Sequence, residues 1–225
     1  ALRITDAGAS GAVYVFTRSG TTWSQQAYIK ASNTGASDLF GWNISLYENT
    51  LAVGAYQEDS DATGINGSQS DNDATDSGAV YVLSRSGTTW TQQAYIKASN
   101  TEEEDNFGCA VSLYGDLLAV GAYMEDGAAA GIDGDQIDNS ANASGAVYVF
   151  SRSGTTWLQQ AYVKESNNDT GDFFGNYLSL YDRSLAVAGL HERSAATGVN
   201  GDQDDDSTQW AGAVYLFYDV ADDMW

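Results

Sequence analysis

Carboxylates and carboxamides cluster in three polar segments of this sequence, and they are the side chains best placed to do chemistry. The first segment, from about Gln57 to Ser77, carries Glu58, Asp59, Asp61, Asn66, Asp71, Asn72, Asp73 and Asp76. The second carries Glu125, Asp126, Asp133, Asp135, Asp138 and Asn139, and the third Glu192, Asn200, Asp202, Asp204, Asp205 and Asp206. Hard cations such as Ca²⁺ take about six to eight oxygens from carboxylates, amide side chains and backbone carbonyls. Gly64, Gly67 and their counterparts allow a segment to fold tightly enough to present them. The candidate ligands are therefore Glu58, Asp59, Asp61, Asp71 and Asn72; Glu125, Asp126, Asp133, Asp135, Asp138 and Asn139; and Glu192, Asp202, Asp205 and Asp206, with calcium the expected ion. The competing reading is a set of solvated turns in which Asp and Asn side chains satisfy the local backbone.

Catalytic constellations are scarce. His191 is the one histidine, and Cys109 the one cysteine. Without a nucleophile–histidine pair, triad mechanisms have no material to work with. Paired carboxylates suited to glycoside hydrolysis are plentiful, but none stands apart from its copies elsewhere in the chain. No enzyme is expected. Trp23, Trp90 and Trp157 offer ring faces for stacking on sugars, against which stands packing between repeated units. Asn-x-Ser/Thr triplets at Asn43, Asn66, Asn142 and Asn168 are acceptors for glycans in a secreted eukaryotic protein.

The charge balance narrows the partners. Nine Lys+Arg against 31 Asp+Glu give a net charge of −22 over 225 residues. Such an excess repels nucleic acid and anionic membrane surfaces, both of which need basic clusters. No apolar run approaches the roughly 20 residues that span a bilayer, so no membrane insertion is expected. The chain opens with Ala1 rather than Met, as in a processed protein or part of a longer one. Proline is absent, leaving Gly, Asn and Asp to make the turns.

These acids are positioned by a repeat. Gly-Ala-Val-Tyr begins at Gly11, Gly78, Gly145 and Gly212, a spacing of 67 residues. The same offset carries Arg18–Trp23 onto Arg85–Trp90 and Arg152–Trp157, and Phe40-Gly41 onto Phe107-Gly108 and Phe174-Gly175. It also superimposes Glu58, Glu125 and Glu192, then Asp71, Asp138 and Asp205, then Asn72, Asn139 and Asp206; the first partial unit has Ile4 and Thr5 at the last two positions. Asp38, Asp105 and Asp172, two residues before each Phe-Gly, suggest a turn or a bond to the next unit's backbone. Each unit predicts four strands, in the first full unit 40–47, 51–56, 78–84 and 89–97. On the last, Trp90, Gln92, Ala94 and Ile96 are expected on one face, with Gln93, Tyr95 and Lys97 on the other. Strands two and three are apolar on both faces, so each sheet must be covered on both sides, as in blades around an axis or a solenoid.

The Phe-Gly pairs, the runs Gly54-Ala-Tyr56 and Gly121-Ala-Tyr123, and the long Glu-Asp-Ser…Ala-Thr-Gly-Ile-Asn-Gly loops resemble the FG-GAP repeat, the blade unit of integrin α-subunit propellers and of bacterial surface proteins, here in a long-loop bacterial form. The resemblance implies an all-β fold of four-stranded antiparallel propeller blades: a partial blade at 1–39, then blades at 40–106, 107–173 and 174–225, the last without a clear fourth strand after Phe217. Ala188-Gly-Leu190 departs from the Gly-Ala pattern, and the compact Asp-x-Asp-x-Asp-Gly calcium loop is represented only by Asp133-Gly-Asp135. The resemblance further implies a non-catalytic binding or adhesion module, extracellular or at the cell surface, stabilised by calcium in its acidic loops. A protein or glycan partner is expected at the loop rim. Two alternatives stay open: a structural subunit that self-associates by edge-strand pairing into an oligomer or filament, and a lectin-like module.

Overall fold

The computed structural model describes residues 8–218, and every regular element among them is a strand. β1 (Val13–Ser19) and β2 (Thr22–Ile29) pair as a hairpin. Blade 1 is the antiparallel sheet β3 (Ile44–Tyr47), β4 (Thr50–Ala55), β5 (Ala79–Ser86) and β6 (Thr89–Ile96), in that order. Blade 2 repeats it with β7 (Ala110–Tyr114), β8 (Leu117–Ala122), β9 (Ala146–Ser153) and β10 (Thr156–Val163). Blade 3 contains β11 (Phe174–Tyr181), β12 (Ser184–Gly189) and β13 (Ala213–Tyr218). The positions where its fourth strand would begin, and those of Ile4 and Thr5, lie outside the described residues.

Because each sheet is apolar on both sides, the sheets stack face to face. Ala52, Val80, Val82 and Ile96 of blade 1 pack on Val111, Val120, Tyr148 and Phe150 of blade 2. The opposite face of blade 1, with Val53, Tyr81, Leu83 and Tyr95, packs on Val13 and Ile29 of the hairpin. Val147, Val149 and Val163 of blade 2 meet Leu180, Leu185 and Val187 of blade 3, with Tyr215 and Phe217 alongside. The first strands of successive blades lie beside one another: Leu113 N donates to Ser45 Oγ at 2.9 Å, and Leu180 N to Ser112 Oγ at 2.9 Å. Tyr47, Tyr114 and Tyr181 stack along the same line, with ring centroids 5.1 and 4.9 Å apart. This is the arrangement of inner strands around a common axis.

The Phe-Gly pair is the wedge between units. Phe40, Phe107 and Phe174 bridge backbone to backbone, in parallel, with Gly11, Gly78 and Gly145 of the unit before. The first strand starts at Ile44 and Ala110, past the Phe, in blades 1 and 2, and at Phe174 itself in blade 3. Gly78 has φ +83°, and a Cβ there would lie 2.1 Å from the Phe107 carbonyl oxygen, so only glycine fits. A Cβ at Gly54 or Gly121 would likewise fall 2.1 or 2.0 Å from the carbonyl oxygen of Gly108 or Gly175 in the following blade. Each buried Phe ring meets a tyrosine edge-on, Phe107 against Tyr148 at 5.3 Å.

The fourth strand departs from the expected alternation. Val82 pairs with Ala94 but Leu83 with Gln92, so Gln93 is a β-bulge; Gln26 and Gln160 bulge likewise. One extra residue flips the phase. Trp90 therefore joins Tyr95 on the face toward the preceding unit, not Ala94 and Ile96 on the other. The bulged glutamines reach the next unit's indole: Trp90 Nε1 donates to Gln26 Oε1 at 3.0 Å, and Trp157 Nε1 to Gln93 Oε1 at 2.9 Å. Trp157 is fully buried whereas Trp23 is 64% exposed. Phe107→Ala is expected to cost about 3–5 kcal/mol in urea unfolding. Trp23→Ala should stay within about 0.5 kcal/mol. Equal effects at the two positions would contradict the stacking described.

Candidate functional site

The long loops β4–β5, β8–β9 and β12–β13 emerge at the same end of the sheets as the connections between blades. Each begins with a buried glutamate. Glu58, 1% exposed, accepts from Lys97 Nζ at 3.1 Å, Tyr95 Oη at 2.8 Å and Ser60 N at 3.2 Å. Asn33, from the preceding unit, donates to Glu58 Oε1 at 2.7 Å while accepting from the Tyr81 hydroxyl. Lys97 also donates to Ser77 Oγ at 2.7 Å, which ties the far end of the loop to its start. In blade 2, Glu125 pairs with Lys164 at 2.9 Å and Asn100 at 3.1 Å, and Lys164 with Ser144 at 2.6 Å. In blade 3, Glu192 is held by Asn167 at 3.2 Å and by the Ser194 amide at 3.1 Å. Burial pulls the Lys97 and Lys164 ammonium groups below the usual lysine value, against the pull of Glu58 and Glu125.

These lysines and asparagines were not singled out from sequence. The offset of 67 that aligned the acids also aligns Asn33, Asn100 and Asn167, and Lys97 with Lys164. That regularity was the available signal; the pairing across 39 residues was not readable without the fold.

Beyond the glutamates, the loops are tied by their own acids. Asp59 Oδ1 accepts from Asp76 N at 2.9 Å, and Asp126 Oδ1 from Ala143 N at 2.7 Å. Asp71 Oδ1 accepts from Asp61 N at 2.8 Å, and the two carboxyls touch, which raises Asp61. Asp133 Oδ1 accepts from Tyr162 N at 2.8 Å, as Asn66 Oδ1 does from Tyr95 N at 3.0 Å. Asp135, Asp138, Asp202 and Asp205 each accept from the amide two residues on, at 2.9–3.2 Å. Asn139 donates to Glu102 of the adjoining connection, while Asn72 and Asp206 face solvent. The middle of the loop runs back along the fourth strand, with Ile65 bridging Ile96 and Ile132 bridging Val163.

The proposed ligands are thus distributed along each loop rather than gathered. Among the described residues, no three or more His, Cys, Asp or Glu side chains converge as a metal ion would need. The Glu58–Lys97 and Glu125–Lys164 clamps hold the bases of the first two loops. Asp38, Asp105 and Asp172 cap turns within their own connections, accepting from Gly35, Glu102 and Asp169 amides at 2.6, 3.0 and 3.1 Å.

The remaining candidates are engaged structurally. Cys109 is buried, and burial pushes its thiol up to about 12. His191 stacks on Phe173 at 4.5 Å and Trp210 at 5.5 Å. Asn43 Oδ1 accepts from Val111 N, and Asn142 and Asn168 donate to Asp126 and Gly127. At the opposite end of the sheets, a cleft of about 540 Å³ contains Arg85 and Arg152. Arg85 is held by Asn49 and Arg152 by Asp116 at 2.7 Å.

Four-stranded antiparallel sheets stacked on both faces, with inner strands side by side and long loops at one end, define the β-propeller class of repeat proteins. Residues 23–83 and 90–150 each match the FG-GAP repeat, together more than half of the chain, and the chain belongs to that family. No curated protein matches it.

Two outcomes follow from the clamps. Lys97→Met leaves Glu58 buried without its cation and is expected to cost about 3–5 kcal/mol, most of it recovered in Lys97→Met/Glu58→Gln, by urea unfolding. The second concerns Asp105, whose carboxyl is pushed up to about 8 by burial, with Glu125, Glu102 and Asp126 adding to the shift. The folded state then holds a proton that the unfolded state releases near 3.8. Its contribution is greatest below that value and declines as pH rises toward 8. Asp105→Asn is expected to flatten the fall in stability between these limits; an unchanged pH profile would remove Asp105 as its source.

Proposed function

We propose that the chain is a non-catalytic binding module, displayed outside the cell or on its surface, whose partner meets the long-loop end of the blades. The reading rests on one observation: the Glu58–Lys97 and Glu125–Lys164 clamps fix the bases of the first two loops, and Asn167 and the Ser194 amide hold Glu192 at the base of the third, while Asp135, Asp138, Asp202 and Asp206 remain in exposed turns above them. Fixed loops carrying exposed charge suit recognition, because little ordering entropy remains to be lost on binding. The chemistry of that end selects a partner. Acidic turns on a chain of net charge −22 attract a Lys/Arg-rich protein segment and repel phosphate polymers. Among the described residues, no helix is long and apolar enough to cross a membrane.

The test is the binding of a Lys/Arg-rich peptide and of its Asp/Glu-rich counterpart to immobilised chain at low and at high salt. Only the basic peptide should bind, and salt should weaken it. Replacing Asp135, Asp138, Asp202 and Asp205 by Asn is expected to reduce affinity about tenfold or more, mainly through a slower association rate. An affinity unaffected by those substitutions would move the contact surface away from the loops.

A further inference from the structure

The three contacts between units are built alike at one point, except the last. Ala31 and Ala55 sit in one core cluster where the hairpin meets blade 1, and Ala98 and Ala122 in the next where blade 1 meets blade 2. Where blade 2 meets blade 3, the same two positions are Glu165 and Gly189. The exchange is concerted, since a Cβ on Gly189 would lie 2.7 Å from Glu165 Oε2. Removal of one methyl makes room for the carboxylate of the other.

That carboxylate is wholly buried, at 0% exposure, and no protein donor reaches Oε1 or Oε2. Asp172 stands against it at 2% exposure; its Oδ2 accepts from Asp169 N, and its Oδ1 has no donor. Asn168, in the same connection between β10 and β11, has its amide orientation fixed by Nδ2 donating to Gly127 O at 3.0 Å, and its buried Oδ1 also lacks a donor. Nearby charges do not remedy this. Lys164 is held by Glu125 and Ser144, Glu192 adds a further negative charge, and Arg193 forms no ion pair with either carboxylate. One shared proton would satisfy a single contact between the two carboxyls and leave the other acceptors bare. A buried acceptor without a donor costs about 1–3 kcal/mol, and more when charged.

We propose that Glu165, Asp172 and Asn168 form a site for a hard, oxygen-seeking cation of calcium's class, seated at the junction of blades 2 and 3. Two carboxylates and an amide oxygen from one short connection are the donor types that calcium takes, with backbone carbonyls or water completing the shell. The site is separate from the long acidic loops and occurs once among the described residues, because the other two junctions have alanine at both positions. It would fasten blade 3 to blade 2 where the junction otherwise encloses carboxyl oxygens that no protein donor reaches.

The experiment is thermal unfolding of the 225-residue chain in calcium chloride and in EDTA, at neutral pH and matched ionic strength, with terbium luminescence sensitised by Tyr215 as a direct probe of occupancy. Saturating calcium should raise the midpoint by on the order of 5 °C. Glu165→Ala/Gly189→Ala, which installs the alanine pair of the other junctions, should abolish both the rise and the terbium signal. That variant should be at least as stable as the parent in EDTA. Asp71→Asn/Asp138→Asn/Asp205→Asn should keep both responses. Glu165→Gln serves should the double variant fail to fold. A calcium rise that survives loss of Glu165 overturns the proposal. So does a parent chain indifferent to calcium and terbium, in which case the pair holds a proton only.

Discussion

Each sheet in this molecule is apolar on both faces, and the faces between units are buried, whereas Phe16 of the hairpin and Val214 and Leu216 of blade 3 stay exposed on the outer ones. Burying both demands a neighbour on each side, and the repeat supplies it by presenting aliphatic side chains on one face and aromatic ones on the other. Val80 and Val82 meet Tyr148 and Phe150, and the pattern recurs one unit along with Val147 and Val149. The polar features follow from that stacking. Asn33 and Asn100 bond simultaneously to a buried glutamate and a tyrosine of the next blade, so they can act only when the blades are in register. The bulged Gln26 and Gln93 accept the indole N–H of the following unit under the same condition. Stability is then a sum of junctions more than of separate sheets, as expected of a repeat array.

Much of this was legible in the sequence, because a fixed spacing with no insertions leaves the strand positions little freedom. The Phe-Gly pairs, the Ala-Val runs and the long loops fall where the repeat puts them. The fourth strand did not, since a period of two cannot register an extra residue: Gln93 looks like any alternating position until its partner strand is seen. The acidic loops were legible as acidic but not as distributed. Distances between carboxylates separated by ten or more residues depend on how the loop folds back along the neighbouring strand. The Glu165–Gly189 exchange was within reach of simple superposition of the repeats, as two alanine positions that change together. Only the structure shows that one change makes room for the other.

The buried Glu–Lys clamps exchange one kind of order for another. An ion pair removed from water contributes modestly to net stability, because desolvation opposes its attraction. Its value here is geometric, since each lysine joins the first residue of a long loop to its last. The clamped loops can then vary in sequence, as Asp61 and Ala128 do at one shared position, while their bases stay fixed.

Ala188 has an implication for how such an array is bounded. It occupies the position of Gly54 and Gly121, where the carbonyl of the following Phe-Gly comes within about 2 Å of where a Cβ would stand. A sheet laid on the outer face of blade 3 in the register used elsewhere would drive its own backbone into that methyl group. The molecule is therefore directional in a way its repeats alone do not convey. A single methyl group makes the next junction unlike the earlier ones, so any neighbour on that face must approach at a different offset or stand farther off.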